Sequence, residues 1–182
     1  MALCRPRRAS TLVAVGYLIS RIKGQDGGVL AELRLAALLD TPWAFASTYE
    51  SELGLSLAQW SERARRGATG GDAATFVATE GDHGVGLVSA FRARDDPSSV
   101  ELVSMWTAPS ARRRGIGSAL VAAVLNWAAE AGPGRVSLWV AEDNDAAINL
   151  YAAQGFTRTR DTQPLPSDPV RMELRMQCLL GT

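Results

Sequence analysis

Histidine occurs once in the 182 residues and cysteine twice, and these scarcities remove whole classes of chemistry. His83 alone cannot complete a histidine-based metal set or a two-histidine arrangement, and Cys4 and Cys178 lie at opposite ends with no metal-type spacing. The expectation is two reduced thiols in a cytoplasmic protein that holds no metal. Charge of one sign is not in excess either, with 19 Lys plus Arg against 19 Asp plus Glu. Nothing in that balance draws the whole chain to nucleic acid or to an acidic membrane, so any basic function is local. Long apolar runs are also missing. Thr11 to Ile19 covers nine residues after a basic start, whereas a bilayer needs about 20. No small-x-small cleavage site follows before Arg21 and Lys23, so the run is taken as a first strand rather than a targeting segment. Nucleotide signatures fail as well: GxxxxGK[ST] is absent, and GIGSAL lacks the third glycine of GxGxxG.

What is present is enough for one domain, with 47% hydrophobic and 21% charged residues. GQDGG (24–28) is a turn, and the helical spacing of Leu30, Leu33, Ala37 and Leu38 predicts a helix stopped by Thr41-Pro42. After an irregular stretch, a second helix starts from Ser56 as N-cap and stops at Gly67. ATFVATE (74–80) and GVGLVSAFRAR (84–94) form a hairpin, with His83 in its turn, and SSVELVSMWTAP is the next strand. Ile116, Leu120, Val124, Trp127 and Ala131 then share one helical face, closed by Gly132-Pro133-Gly134. RVSLWVA is a strand, NDAAINLYAAQ a helix, GFTRTRD the start of a strand, TQPLPSDP a loop, and VRMELRMQCLL the last strand. The order is mixed α+β with a strand–helix–strand unit at its centre.

The stretch PSARRRGIGSAL (109–120) carries the first chemical signal. A helix that begins near Gly115 exposes about four backbone N–H groups without partners. Arginines at the positive end of a helix dipole are unfavourable by a few tenths of a kcal/mol each unless an anion arrives there, and glycines let phosphate oxygens approach the main chain. A phosphate cradle follows. The alternative is a solvated arginine cluster on a first turn capped by Ser110; a nucleic-acid patch lacks the aromatic interleaving and basic surround it would need.

At these residues the sequence resembles the GNAT superfamily of acyl-CoA-dependent N-acetyltransferases. Its pyrophosphate motif, Q/R-x-x-G-x-G/A, is matched by Arg112-Arg113-Arg114-Gly115-Ile116-Gly117, and its later N-x-x-A-x-x-L-Y-x-x-x-G-F is matched throughout by NDAAINLYAAQGF from Asn144 to Phe156. The resemblance covers about residues 30–178. It implies a three-layer α+β fold whose central, largely antiparallel sheet of about 6–7 strands is splayed at its two middle strands. Residues 1–28 match poorly, leaving 29–182 as a single acetyltransferase domain.

The same resemblance implies the site. Main-chain N–H groups of Arg113, Arg114, Gly115, Ile116, Gly117 and Ser118 would hold the pyrophosphate of acetyl-CoA, and Arg112 would order the loop or meet a phosphate. The pantetheine arm would run beside Met105, Trp106 and Thr107. Asn144 is an N-cap by its position, and the resemblance adds a hydrogen bond to that arm. Tyr151 is either a packed aromatic on the helix face it shares with Ile148 or, by the resemblance, the group that meets the departing thiolate. The acceptor is a primary amine, of a small molecule or of a protein, and a lysine-type amine with pKa ~10.4 is neutral in about one molecule in 2500 at pH 7. Glu101 shares a strand face with Val103 and Met105 and has the spacing of a catalytic glutamate in the histone-acetylating branch, so it is the candidate base. Transfer is direct, with no metal, no nucleic-acid or membrane partner, and a monomer or homodimer as the working state. Acceptor choice falls to PWAFASTYESELG and TQPLPSDP, where Trp43, Phe45 and Tyr49 with Glu50 and Glu52 suggest a cleft for a cationic amine. The alternative function is a non-catalytic acyl-CoA-binding module that senses the coenzyme.

Overall fold

A computed structural model describes the main chain of residues 3–4 and residues 16–181. The strands are β1 (Leu3–Cys4), β2 (Leu18–Arg21), β3 (Ala73–Glu80), β4 (His83–Arg92), β5 (Ser99–Thr107), β6 (Arg135–Ala141), β7 (Thr157–Leu165) and β8 (Asp168–Leu180). The helices are α1 (Gly27–Asp40), α2 (Tyr49–Leu53), α3 (Leu57–Thr69), α4 (Ile116–Ala131) and α5 (Asp145–Ala153). All eight strands join one sheet in the order β1-β8-β6-β5-β4-β3-β2, with β7 also on β8. Pairing is antiparallel except for β5 with β6 and β1 with β8, so the sheet is mixed and largely antiparallel.

Helices cover both faces because the central strands are apolar on both. In β4, Leu87 joins Leu33, Leu38, Trp60 and Ala64 of α1 and α3, while its neighbour Val88 joins Leu120 and Val124 of α4. Such a strand reads as a continuous hydrophobic run rather than an alternating one. The buried stripe of α4 includes Ile116, Leu120, Val124 and Trp127 as expected, and widens to Val121, Leu125 and Ala128 because the helix crosses several strands. Ser56 caps α3 in a capping box with Gln59, worth about 1 kcal/mol.

Several expectations are corrected. Helix α3 runs through Gly67 to Thr69; a Cβ at position 67 would lie 2.6 Å from Thr75 Oγ1, so this glycine serves close packing on β3, not termination. TQPLPSDP is no loop: β7 extends to Leu165 and β8 starts at Asp168. Pro164 is tolerated because β7 pairs on one side only and an edge strand does not need every N–H. The stretch after α1 contains α2, started by a Thr48–Ser51 capping box. Of the first-strand expectation, Leu18 and Ile19 lie in β2, while Thr11 to Val15 fall outside the described residues. Cys178 is buried and disulfide-bonded, not a reduced thiol. Among the described residues, no helix is long and apolar enough to cross a membrane.

Candidate active site

β5 and β6 pair over only three positions, Ser99 with Arg135, Val100 with Val136 and Glu101 with Ser137, and then separate. Three residues past the last pair, the β4–β5 register shifts between Leu87 and Ser89, opposite Ser104, whose φ is 56°. A bulge of this kind bends its strand, and a left-handed non-glycine residue costs about 1–3 kcal/mol. Beyond Glu101 the edge of β5 that faces β6 is therefore open, and main-chain groups there need partners from elsewhere. The opening is a cleft of about 500 Å³ whose walls include Met105, Trp106, Thr107, Trp139, Asn144 and Tyr151.

The N-terminus of α4 points into this cleft. Gly115 is its N-cap at φ 83°, Arg113 before it has φ 60°, and no side chain caps the helix, so Ser110 does not serve as one. The N–H groups from Arg113 to Ser118 have no acceptor among the described residues, leaving six consecutive donors together at the positive end of a helix dipole. The three arginines separate in role. Arg112 donates to Thr107 O at 3.0 Å and pairs with Asp40, while Arg114 pairs with Glu80 at 2.5 Å. Only Arg113 keeps an uncommitted guanidinium, and it lines the cleft with Arg112, Gly115, Gly117 and Ser118. Ile116 is buried in the core instead. At Gly117 a Cβ would approach Met105 Cε to 3.2 Å and Leu150 Cδ2 to 3.3 Å, so the cradle depends on the missing side chain. Thr107 Oγ1, beside it, is buried without a hydrogen-bond partner among the described residues. These features fit a ligand with a pyrophosphate and a peptide-like arm.

Asn144 caps α5, accepting from Ala147 N at 3.1 Å through Oδ1, which leaves its amide NH₂ free to donate into the cleft. Tyr151 is packed at 5.8 Å from Phe156, and burial pushes its phenol well above the ordinary tyrosine range. It keeps its proton, and its hydroxyl has no partner among the described residues. Glu101 is not brought to this group. It lies where β5 and β6 are still paired, outside the cleft walls, and its carboxylate accepts from Arg175.

Residue-by-residue reasoning missed Asp40, Ser104 and Arg175. Asp40 receives Trp106 Nε1 at 2.9 Å and Arg112, tying the end of α1 to both walls of the cradle. A signal existed there, since a carboxylate at the negative end of a helix is unfavourable unless a cation or donor meets it. On the acceptor side, Ser167 Oγ donates to Phe45 O and Arg171 lies over Trp43 at 5.4 Å, so the turn of β7–β8 touches the segment after α1. Glu52, expected to draw a cation, is 6% exposed and already holds Arg34, Arg63 and Ser47. Its charge is spent within the fold.

The sequence model of the Acetyltransferase (GNAT) family matches residues 15–156. The chain belongs to this family. A mycothiol acetyltransferase of Sanguibacter keddieii is 39% identical over 104 residues, covering 53% of this chain and 33% of that protein. The chain thus spans about a third of the length of that curated relative. The ribosomal-protein-alanine N-acetyltransferase of Brucella melitensis is 25% identical, with a TM-score of 0.71 over 90% of this chain and 99% of that one. The YncA structure from Salmonella typhimurium, solved with its cofactor acetyl-CoA, shares the fold at a TM-score of 0.72 and 22% identity, covering 91% and 95%. In this chain the splayed sheet and the uncapped α4 lie largely within the stretch that the family model matches. Among those described, no group of three or more His, Cys, Asp and Glu could hold a metal.

Proposed function

We propose that the protein seats acetyl-CoA along β5 and the N-terminus of α4 and passes its acetyl group directly to a primary amine, with Tyr151 at the leaving sulfur. The observation that carries this reading is the convergence of six unpartnered N–H groups, the open edge of β5 and the Tyr151 hydroxyl on one cleft. The N–H groups from Arg113 to Ser118 bind the pyrophosphate, and the open main chain of Met105, Trp106 and Thr107 pairs with the pantetheine arm. Asn144 donates its free amide hydrogens to the same arm. The coenzyme supplies the thioester carbon; in the balance one C–N bond forms, one C–S bond breaks, and an amine proton is lost as the thiol is gained.

Tyr151 acts as a hydrogen-bond donor to the departing sulfur. A thiol titrates near pKa ~8.5, below a buried phenol, so stabilisation by the O–H is favoured over complete transfer of its proton. For the base, Glu101 is the candidate on β5, supported by its place next to the splay and opposed by its Arg175 partner. Glu101→Gln tests it: a kcat/KM against pH profile displaced from that of the wild type supports the role, and superimposable profiles remove it.

Among the described residues no carboxylate lines the donor cleft, and this favours one second reading, a module that binds acetyl-CoA without transferring from it. Thiol release from acetyl-CoA, corrected for hydrolysis, with a panel of a short peptide, a polyamine and amino-group metabolites separates the two. Release with one amine class supports transfer, whereas tight coenzyme binding with no release across the panel supports the sensor.

A further inference from the structure

On the other face of the sheet, between α1, α3 and strands β3 and β4, lies a second cavity of about 740 Å³. It meets the donor cleft at Ser104, the bulge residue, which lines both. A molecule entering this cavity thus approaches the strand position where the acetyl group is expected. The walls carry six arginines and only two carboxylates, in a chain whose formal net charge is +0.

Internal pairing does not consume that charge. Asp72 is met by Arg92, and Arg65 by Glu62. Glu52 receives two guanidinium groups at once, Arg34 and Arg63, so one positive charge of that trio has no counterpart. Arg66 and Arg94 form no side-chain hydrogen bond or ion pair with the described residues. The decisive atom is Arg34 Nη1. Arg34 is 7% exposed, its Nε and Nη2 are used by Glu52 and Ser47, and its ring-facing guanidinium lies 4.6 Å from the Phe45 centroid. Its Nη1 is buried and has no acceptor among the described residues. A charged donor left unmade inside a fold is costlier than a neutral one, so an acceptor oxygen is expected to reach it. Planar guanidinium forks suit carboxylate or phosphate oxygens.

We infer that the acceptor is an amine bearing an oxyanion, a carboxylate or a phosphate, whose anionic end lies among Arg34, Arg63, Arg66 and Arg94 while its amino end reaches Ser104. This names the substrate class for the acetyl-transfer reading and rests on it. Trp60, Leu87 and Phe91 line the same cavity, giving an apolar path between the two ends. The anion also neutralises the cavity, so a cationic tail in its place would face uncompensated like charge.

The test compares aminohexanoate, aminohexyl phosphate and hexamethylenediamine, which present a primary amine on a five- or six-methylene spacer with an anionic far end or, in the diamine, a second amine as a cationic one. Two readouts are taken: kcat/KM for thiol release, and calorimetric binding of each amine to the protein saturated with coenzyme A. The expected result is at least about a tenfold advantage of one or both anionic amines over the diamine. In the Arg66→Ala/Arg94→Ala double variant, both residues being exposed so that folding is retained, that advantage shrinks several-fold. Preference between the two anionic probes identifies which oxyanion is taken. A diamine that binds or reacts as well as the anionic amines overturns the inference, as does an anion preference unchanged in the double variant. Anion-selective binding without any turnover keeps the cavity assignment and overturns the transfer reading instead; turnover of the diamine alone does the reverse.

Discussion

At the scale of single residues, the motif arginines and the motif glycines do different work. Arg112 and Arg114 are tied to Asp40, Thr107 and Glu80, so they shape the loop, while the exposed donors are main-chain N–H groups. Gly117→Val would press on Met105 Cε and Leu150 Cδ2, both flexible side-chain ends, so the helix survives and the cradle narrows. Its Kd for coenzyme A is expected to rise about tenfold or more, the range of an overpacked contact. Arg113→Ala removes one solvent-facing charge and is expected to weaken binding only about two- to fivefold. Isothermal titration on both variants decides, and the reverse order would place the phosphate on side chains. Tyr151→Phe is expected to lower kcat by roughly ten- to ten-thousandfold with coenzyme affinity little changed. Because burial holds the phenol protonated, Tyr151 contributes no alkaline limb to the wild-type rate profile across the ordinary assay range. Unaltered kcat in the phenylalanine variant would reduce Tyr151 to a packed aromatic.

At the scale of elements, what was legible in the sequence was whatever repeats or terminates locally. The apolar period of α4, the Ser56 cap of α3 and the Asn144 cap of α5 are local patterns, and each appears where the residues place it. Gly67 shows the limit: a glycine after an arginine pair reads as a stop until β3 is seen against it, with Thr75 filling the space a Cβ would take. Pro164 shows another, since a proline reads as a loop unless the strand is known to be an edge. The splay of β5 from β6 was implied only by the family resemblance, because it follows from a bulge at Ser104 that no residue type announces. Glu52 was misread for a related reason: its partners Arg34 and Arg63 are far off in sequence and meet it only after α1, α2 and α3 dock. Gly67→Ala follows as a prediction at this scale. With Thr75 Cβ at 2.8 Å and its backbone N at 3.2 Å, α3 must move off β3, at a cost of about 1–3 kcal/mol. Chemical denaturation should show a lower midpoint with an unchanged m-value; a neutral result would mean that α3 has room to shift.

For the molecule as a whole, two buried glutamates set opposing pH dependences of stability. Burial alone would raise the Glu52 carboxyl, but the hydrogen bonds from Arg34 and Ser47 and the Arg34 charge outweigh it and hold it below the usual carboxylate range. Its contribution is therefore present above the unfolded pKa, about 4.3, and is lost as pH falls through the folded value. Glu173, at 5% exposure on β8, has no cationic partner among the described residues; burial raises it, and the hydrogen bond from Gln163 at 2.5 Å offsets only part of that. With its folded pKa above the unfolded one, folding takes up a proton between the two. Its contribution is fully present below about pH 4.3 and is lost as pH rises through the folded pKa, so at neutral pH the ionised carboxylate weakens the fold. Glu173→Gln keeps the shape and can still pair with Gln163, and it removes the charge. The variant is expected to melt above the wild type at pH 7, by roughly 2–4 °C for each kcal/mol recovered in a chain of this length, and to converge with it near pH 4. Tm measured across that range checks the sign directly. A variant that melts lower at pH 7, or a gap that widens toward pH 4, would mean that the ionised carboxylate meets a positive charge not seen in the fold, and Glu173 would then join Glu52 as a group that acid unlocks.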